Sequence, residues 1–333
     1  MKQIFGLILF FYSLISQAGN LAEIRERGFL LCGVSEGIIG FSSPDSTGNW
    51  SGIDVDVCKS VAISIFSDSK KVKYIPLNTS DRFKALRSGR IDILSRNTTL
   101  NLSRSITEKI LFAPVVFFDG QGFLVKKSSG VKTVANLRNA KICVQKNTTS
   151  ELNLIDYKRK TGIGFKLITF TSRDEVVNGF MKNRCRAMSA DISALIAQRA
   201  SLGGSKEYIV LKENISKEPL APAVMEKNVE LYHLLTWVIH GLIYAEEMGI
   251  NSTNVSSMLK SSNPGVRRFL GAEIGNGAAL KVGESWAYDI INELGNYGEV
   301  FERNLGKTSP VNLVRGLNEL SINKGLHYSY PLR

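Results

Sequence analysis

The 333-residue chain is poor in the residues that most reaction centres need. It has three histidines, and His233 and His240 stand seven apart on an expected helix, which is no metal-ligand spacing. Its four cysteines form no C-x-x-C pair, so the common zinc and redox motifs are excluded. Walker-type and GxGxxG runs are missing. Beyond the N-terminal leader no apolar run is long enough to cross a bilayer; residues 231–244 carry both histidines and stop early. Acidic charge is scarce, with 30 Asp and Glu against 42 Lys and Arg. No basic block and no aromatic–basic alternation accompanies that excess, which argues against a nucleic-acid partner. The excess reads as scattered, a general field that favours solubility and anionic solutes.

What is present begins with residues that read as a secretory leader. Lys2 precedes the apolar residues 4–15, and Ser16-Gln17-Ala18 supplies small residues for cleavage near Ala18. The remainder is long for one core and natural for two lobes. An even cysteine count behind a leader reads as two disulfides, for which three pairings exist. Cys32–Cys58 with Cys143–Cys185 is expected, because each bridge then staples one lobe; four buried free thiols are the alternative.

Strands are expected at residues 29–34, 72–75 and 91–94, with helices from Asp54 and over residues 81–88. Asp54 reads as the N-cap of the first of these. Strand, helix, strand, helix, strand implies a parallel α/β sheet. Residues 177–188 echo residues 83–93 as helix, turn and strand, with Asn183 in the place of Gly89; both residue types tolerate a left-handed C-cap. The echo predicts a second lobe of similar design, with crossings at residues 120–126 and 211–223. The expected division is residues 1–18 as leader, 19–122 as the first part of lobe one, 123–218 as lobe two, and 219–333 as a mostly helical return.

Ser95-Arg96-Asn97-Thr98-Thr99-Leu100-Asn101-Leu102-Ser103-Arg104 carries the strongest chemical signal. A guanidinium fork and nearby hydroxyls suit a carboxylate. Thr148 and Thr149 follow an expected strand and open an expected helix, where unpaired N–H groups and the helix dipole favour an anion. Asp191 ends the strand at residues 187–190, and an acid at a strand's carboxyl end facing a crevice suits an ammonium group. Helix capping is the plainer alternative for Thr148 and Asp191.

The 95–104 run, Gln145-Lys146-Asn147-Thr148-Thr149, Gly52-Ile53-Asp54-Val55-Asp56 and Gly295-Asn296-Tyr297-Gly298-Glu299-Val300-Phe301 together resemble periplasmic solute-binding proteins of the polar amino-acid ABC transporter family (family 3), general L-amino-acid-binding branch. The resemblance spans nearly all of the chain past the leader. Asn147 stands where the family has glycine. The resemblance implies an α/β two-lobe periplasmic binding-protein fold of type II, a two-segment hinge and a ligand in the interlobe cleft. It implies a monomeric periplasmic receptor without cofactor, handing an L-amino acid to an inner-membrane ABC permease. Arg104, Thr99, Thr148 and Thr149 would hold the α-carboxylate, with Asn97 in the same signature. Asp191 and Glu36 would hold the ammonium, and Phe41 would pack over the ligand stem, with Trp50 as a further wall. Two other readings are a cyclohexadienyl dehydratase-like enzyme, with Glu36 or Asp191 as general acid, and a sensor ectodomain.

Overall fold

A computed structural model describes residues 21–333; the leader and its cleavage point lie outside the described residues. Two five-stranded sheets organise the chain. In the first sheet the order is Val72–Pro76, Leu30–Val34, Ile93–Leu94, Ala223–Met225, Ile110–Phe112. In the second it is Lys166–Phe170, Lys141–Gln145, Ala187–Asp191, Gln121–Lys126, Tyr208–Val210. Each begins with three parallel strands, joined through helices, and continues with two more strands through successive antiparallel pairings. The chain enters the second lobe and returns, which gives the α/β two-lobe fold of a type II periplasmic binding protein.

The crossings pair with each other. Phe117–Asp119 and Glu218–Leu220 form a two-stranded antiparallel ribbon, with Glu218 opposite Asp119. The expected crossing at residues 120–126 is instead the second-sheet strand Gln121–Lys126, and the crossing strand ends one residue earlier. Both are short, extended and apolar, so only the pairing partner distinguishes them. The C-terminal return braces the ribbon. The Asn318 carboxamide accepts from Phe118 N–H (2.6 Å) and donates to Phe118 C=O (3.1 Å), and the Tyr297 hydroxyl donates to Val116 C=O (2.8 Å).

Disulfides join Cys32 to Cys58 and Cys143 to Cys185, one against each sheet. The largest core lies between the first sheet and the helices Ile53–Phe66, Val229–Glu247 and Trp286–Leu294. Among the described residues no helix is long and apolar enough to cross a membrane. The left-handed turns fall where expected: Gly89 has φ +72°, Asn183 +57° and Asn147 +62°. Asparagine reaches that region at modest cost, so the loop before Thr148 keeps its shape without glycine.

Candidate functional site

A cavity of about 210 Å³ lies between the lobes, at the carboxyl ends of the parallel strands. Seven of the eight expected ligand residues line it: Glu36, Asn97, Thr99 and Arg104 from the first lobe, and Thr148, Thr149 and Asp191 from the second. Phe41 does not. It is 1 % exposed and packs edge-on against Phe117, ring centroids 5.3 Å apart. A tight turn, in which Ile38 bridges Ser42, directs Phe41 inward and leaves Ile38 on the cavity wall. Trp50 is likewise no part of the wall; it lies against Tyr74.

Asp54 builds the first-lobe loop. The helix Ile53–Phe66 has Gly52 as its N-cap, and Gly52 takes φ +128° with no side-chain capping bond. Asp54 turns inward instead, 3 % exposed, and accepts the Asn97 N–H at 2.9 Å. Burial pushes its carboxyl up to about 7, against the pull of that bond and of Arg96. Asn97 sits in the left-handed region at φ +33°, and its side-chain oxygen is buried without a partner. Asn101 caps the next helix, Leu102–Thr107, by accepting from the Arg104 N–H. The Arg104 guanidinium folds back to donate to Thr99 C=O (2.8 Å), and the residue lines the cavity.

Arg82, Arg96 and Arg173 join Arg104 on the wall and were not singled out from sequence. Arg96 is braced by Leu77 C=O (2.7 Å) and the Thr79 hydroxyl (3.3 Å). Arg173 crosses the cleft, donating to Gly37 C=O of the first lobe and to Gln198 Oε1 of its own (2.8 Å). Arg82 is 5 % exposed, its Nε has no hydrogen-bond partner, and it lies over the Phe83 ring at 4.8 Å. Burial, with the charges of Arg104 and Arg96, holds its guanidinium well below the ordinary value, while Asp191 acts in the opposite sense. A buried cation with unspent donors favours an anion beside it.

The second lobe supplies the opposite charge. Asp191 begins the helix Ile192–Ser201 but makes no side-chain capping bond. Asp119, on the ribbon, accepts the Ser193 N–H and hydroxyl in its place. The Asp191 carboxylate is thereby left facing the cavity, 9 % exposed. Burial and the neighbouring Asp119 and Glu218 push it well above the carboxylate range, opposed by Arg104 and Arg82. Burial likewise raises Asp119 to about 6. The Thr148 hydroxyl is already committed: it donates to Gln145 C=O (2.6 Å) and accepts from Glu151 N–H (3.2 Å). Its contribution to the cavity is the capped helix start itself.

Glu218 has no local sequence signal and ties the arrangement together. It is 1 % exposed, on the returning ribbon strand. Oε2 accepts Thr99 Oγ1 (2.6 Å) from the first lobe and Thr149 Oγ1 (3.0 Å) from the second. Oε1 accepts Asn153 Nδ2 (2.6 Å) and Ser216 Oγ (2.7 Å). The two threonine hydroxyls are 3.3 Å apart, so the lobes meet at this carboxylate.

The model of the bacterial extracellular solute-binding proteins, family 3, matches residues 30–276. The chain belongs to that family. The general L-amino acid-binding periplasmic protein AapJ of Rhizobium johnstonii is 44% identical over 320 residues, 96% of this chain and 94% of the relative. The glutamate/glutamine/aspartate/asparagine-binding protein BztA of Rhodobacter capsulatus is 39% identical over 319 residues, 96% and 94% of the two chains. A solved periplasmic binding protein of an ABC transporter from Brucella ovis, with glutathione bound, superposes with a TM-score of 0.92 at 41% identity, covering 94% of this chain and 99% of that one. These relatives of the family 3 chain are binding proteins rather than enzymes.

Proposed function

We propose that this family 3 protein is a periplasmic receptor that closes on L-α-amino acids and delivers them to an ABC importer. One observation carries the reading: the guanidinium groups of Arg104 and Arg82, the latter with an unpartnered Nε, line one interlobe cavity together with the uncapped Asp191 carboxylate. A zwitterion matches that polarity. Arg104 and the N–H groups at the Thr149 helix start take the α-carboxylate. Asp191, with the Asn97 side-chain oxygen and Glu36, takes the ammonium. Ile38, Val176, Met188 and Leu195 give the stem an apolar wall. Arg82 is the spare cation, so ligands with a second carboxylate or an amide oxygen bind tighter than alanine or valine. The names of AapJ and BztA support an amino-acid ligand. Glutathione, held by the Brucella relative, ends in a γ-glutamyl group that is itself an α-amino acid.

Poles drawn from both lobes make the ligand bind the closed form better than the open one, and this difference drives closure. Thermal-shift screening of the full-length mature protein against the twenty L-amino acids and glutathione tests the reading. A ligand at 100 times its dissociation constant adds about 2.7 kcal/mol, a visible shift. No shift with any of them would refute it.

A further inference from the structure

The positive charge of this protein is not scattered. Residues 120–212 hold 17 Lys and Arg against 6 Asp and Glu, while the rest of the chain holds 25 against 24. That segment contains the whole second sheet. Nearly all of the net charge of +12 therefore sits on one lobe.

The charge gathers at the end of the sheet away from the cleft. Lys141 and Lys166 open adjacent parallel strands and face each other in register. Arg186 precedes the next strand and donates its N–H to Lys141 C=O. Lys126 ends the antiparallel strand beside it, next to the Ala187–Val125 pair. Four neighbouring strands thus each place a cation at the same pole, in a row of roughly 15 Å. Arg184 adds a fifth, and a shallow hollow opens among Lys126, Ser129, Lys141, Arg184 and Arg186. Like charges in register repel. No carboxylate relieves them: among the described residues none of these five forms an ion pair, though Lys126 and Arg184 lie over the Phe180 and Phe170 rings. Lys126 and Arg186 donate only to neutral oxygens of Met181, Asn183 and Ser129.

We propose that this basic pole of the second lobe adsorbs electrostatically to an anionic phospholipid surface and holds the receptor beside the membrane while the cleft stays free. Charge complementarity points to a polyanion, and the surface chemistry points to a bilayer. A protein interface needs an apolar or aromatic anchor at its centre. The large hydrophobics exposed among residues 120–212 are Leu152 and Met181. Leu152 lies in the first turn of Thr149–Thr161, at the cleft end, and the Met181 sulphur accepts the Tyr208 hydroxyl. A field of lysine and arginine without an anchor suits diffuse attraction to lipid headgroups. The cleft opens at the other end of the same strands, so adsorption leaves ligand access open.

Co-sedimentation of the mature full-length protein tests this, with vesicles of phosphatidylcholine alone and vesicles that also contain phosphatidylglycerol. Binding is expected only to the anionic vesicles, and should fall steeply between about 50 mM and about 200 mM salt as screening shortens the field. The variant K141Q/K166Q/R184Q/R186Q should lose at least about thirtyfold in partitioning. A variant of equal charge change away from the pole, K70Q/K71Q/K260Q/K307Q, should lose far less. Amino-acid thermal shifts should stay at wild-type values in both, which reports folding and keeps this outcome separate from the ligand reading. Equal wild-type binding to the two vesicle types overturns the proposal even if the pole variant fails to fold. Equal losses in the two variants overturn it too, because net charge and not the pole would then be responsible. Retention on an acidic protein surface without vesicle binding would reassign the pole to a protein partner.

Discussion

Replacing Glu218 with glutamine tests how the ribbon couples to the cleft. One oxygen of this carboxylate accepts Thr99 and Thr149, and the other accepts Asn153 and Ser216. Opening separates Thr99 on the first lobe from Thr149 and Asn153 on the second. Glu218 cannot follow both sides. If it keeps its second-lobe partners, opening breaks at least the 2.6 Å bond to Thr99. A hydrogen bond to a carboxylate contributes about 1.5–3 kcal/mol, which is about 10- to 150-fold in the closure equilibrium. Glutamine turns one oxygen into an N–H donor aimed at hydroxyls that themselves donate. Glu218→Gln should therefore raise Kd about tenfold or more, chiefly through faster dissociation. Calorimetry and stopped-flow release of the tightest-binding amino acid measure this. The same change lowers overall stability, so the deciding quantity is a double-mutant cycle on Kd with Thr99→Val. A coupling of about 1.5 kcal/mol or more is expected. Coupling near zero between two folded variants would show that Glu218 only packs the hinge.

Four further outcomes follow from the same geometry. Arg104→Ala should abolish tight binding of all amino acids together, because they share the α-carboxylate; Arg82→Gln should weaken glutamate and aspartate at least about tenfold more than alanine. Calorimetry on both variants checks the pair, and uniform losses in Arg82→Gln would remove that residue from side-chain recognition. Asp191→Asn should weaken amino acids far more than the same acids lacking the amine, and equal losses would make Asp191 a purely structural residue. Asp54 is raised to about 7 by burial, above its unfolded value of 3.8. Between those values the native state holds the extra proton, so the stability of the ligand-free protein should rise by up to about 1.4 kcal/mol per unit as pH falls from 7 toward 4. Asp54→Asn should lose that slope in urea titrations, and parallel profiles for wild type and variant would show that the carboxyl is not titrating there.

Much of the site was readable because its signals are local. The Thr99–Arg104 run, the threonine-capped helix start and the strand ending in Asp191 each depend on residues a few positions apart. The left-handed turns at Asn147 and Asn183 depend on a single residue's backbone preference. Glu218, Arg82 and Arg173 had no such signal. Their importance comes from partners 119, 22 and 136 positions away, namely Thr99, Arg104 and Gly37. Charge was misjudged for a related reason. The basic residues are spaced out along the chain, and only strand order brings Lys126, Lys141, Lys166 and Arg186 to one edge.

By itself, then, the amino-acid order determined the two α/β units, the turns between their elements and the acidic and basic residues that the candidate cavity brings together. Backbone preference and hydrophobic period act over a few residues, and those features need nothing longer. Tertiary structure alone decided which aspartate caps a helix and which is left for the cavity: Asp119 takes the Ser193 N–H from across the ribbon, and Asp191 is released. It also sent Phe41 into the core and placed one carboxylate where both lobes converge. Such choices depend on which distant groups compete for the same hydrogen bond or the same buried volume, and that competition exists only once the sheets have assembled.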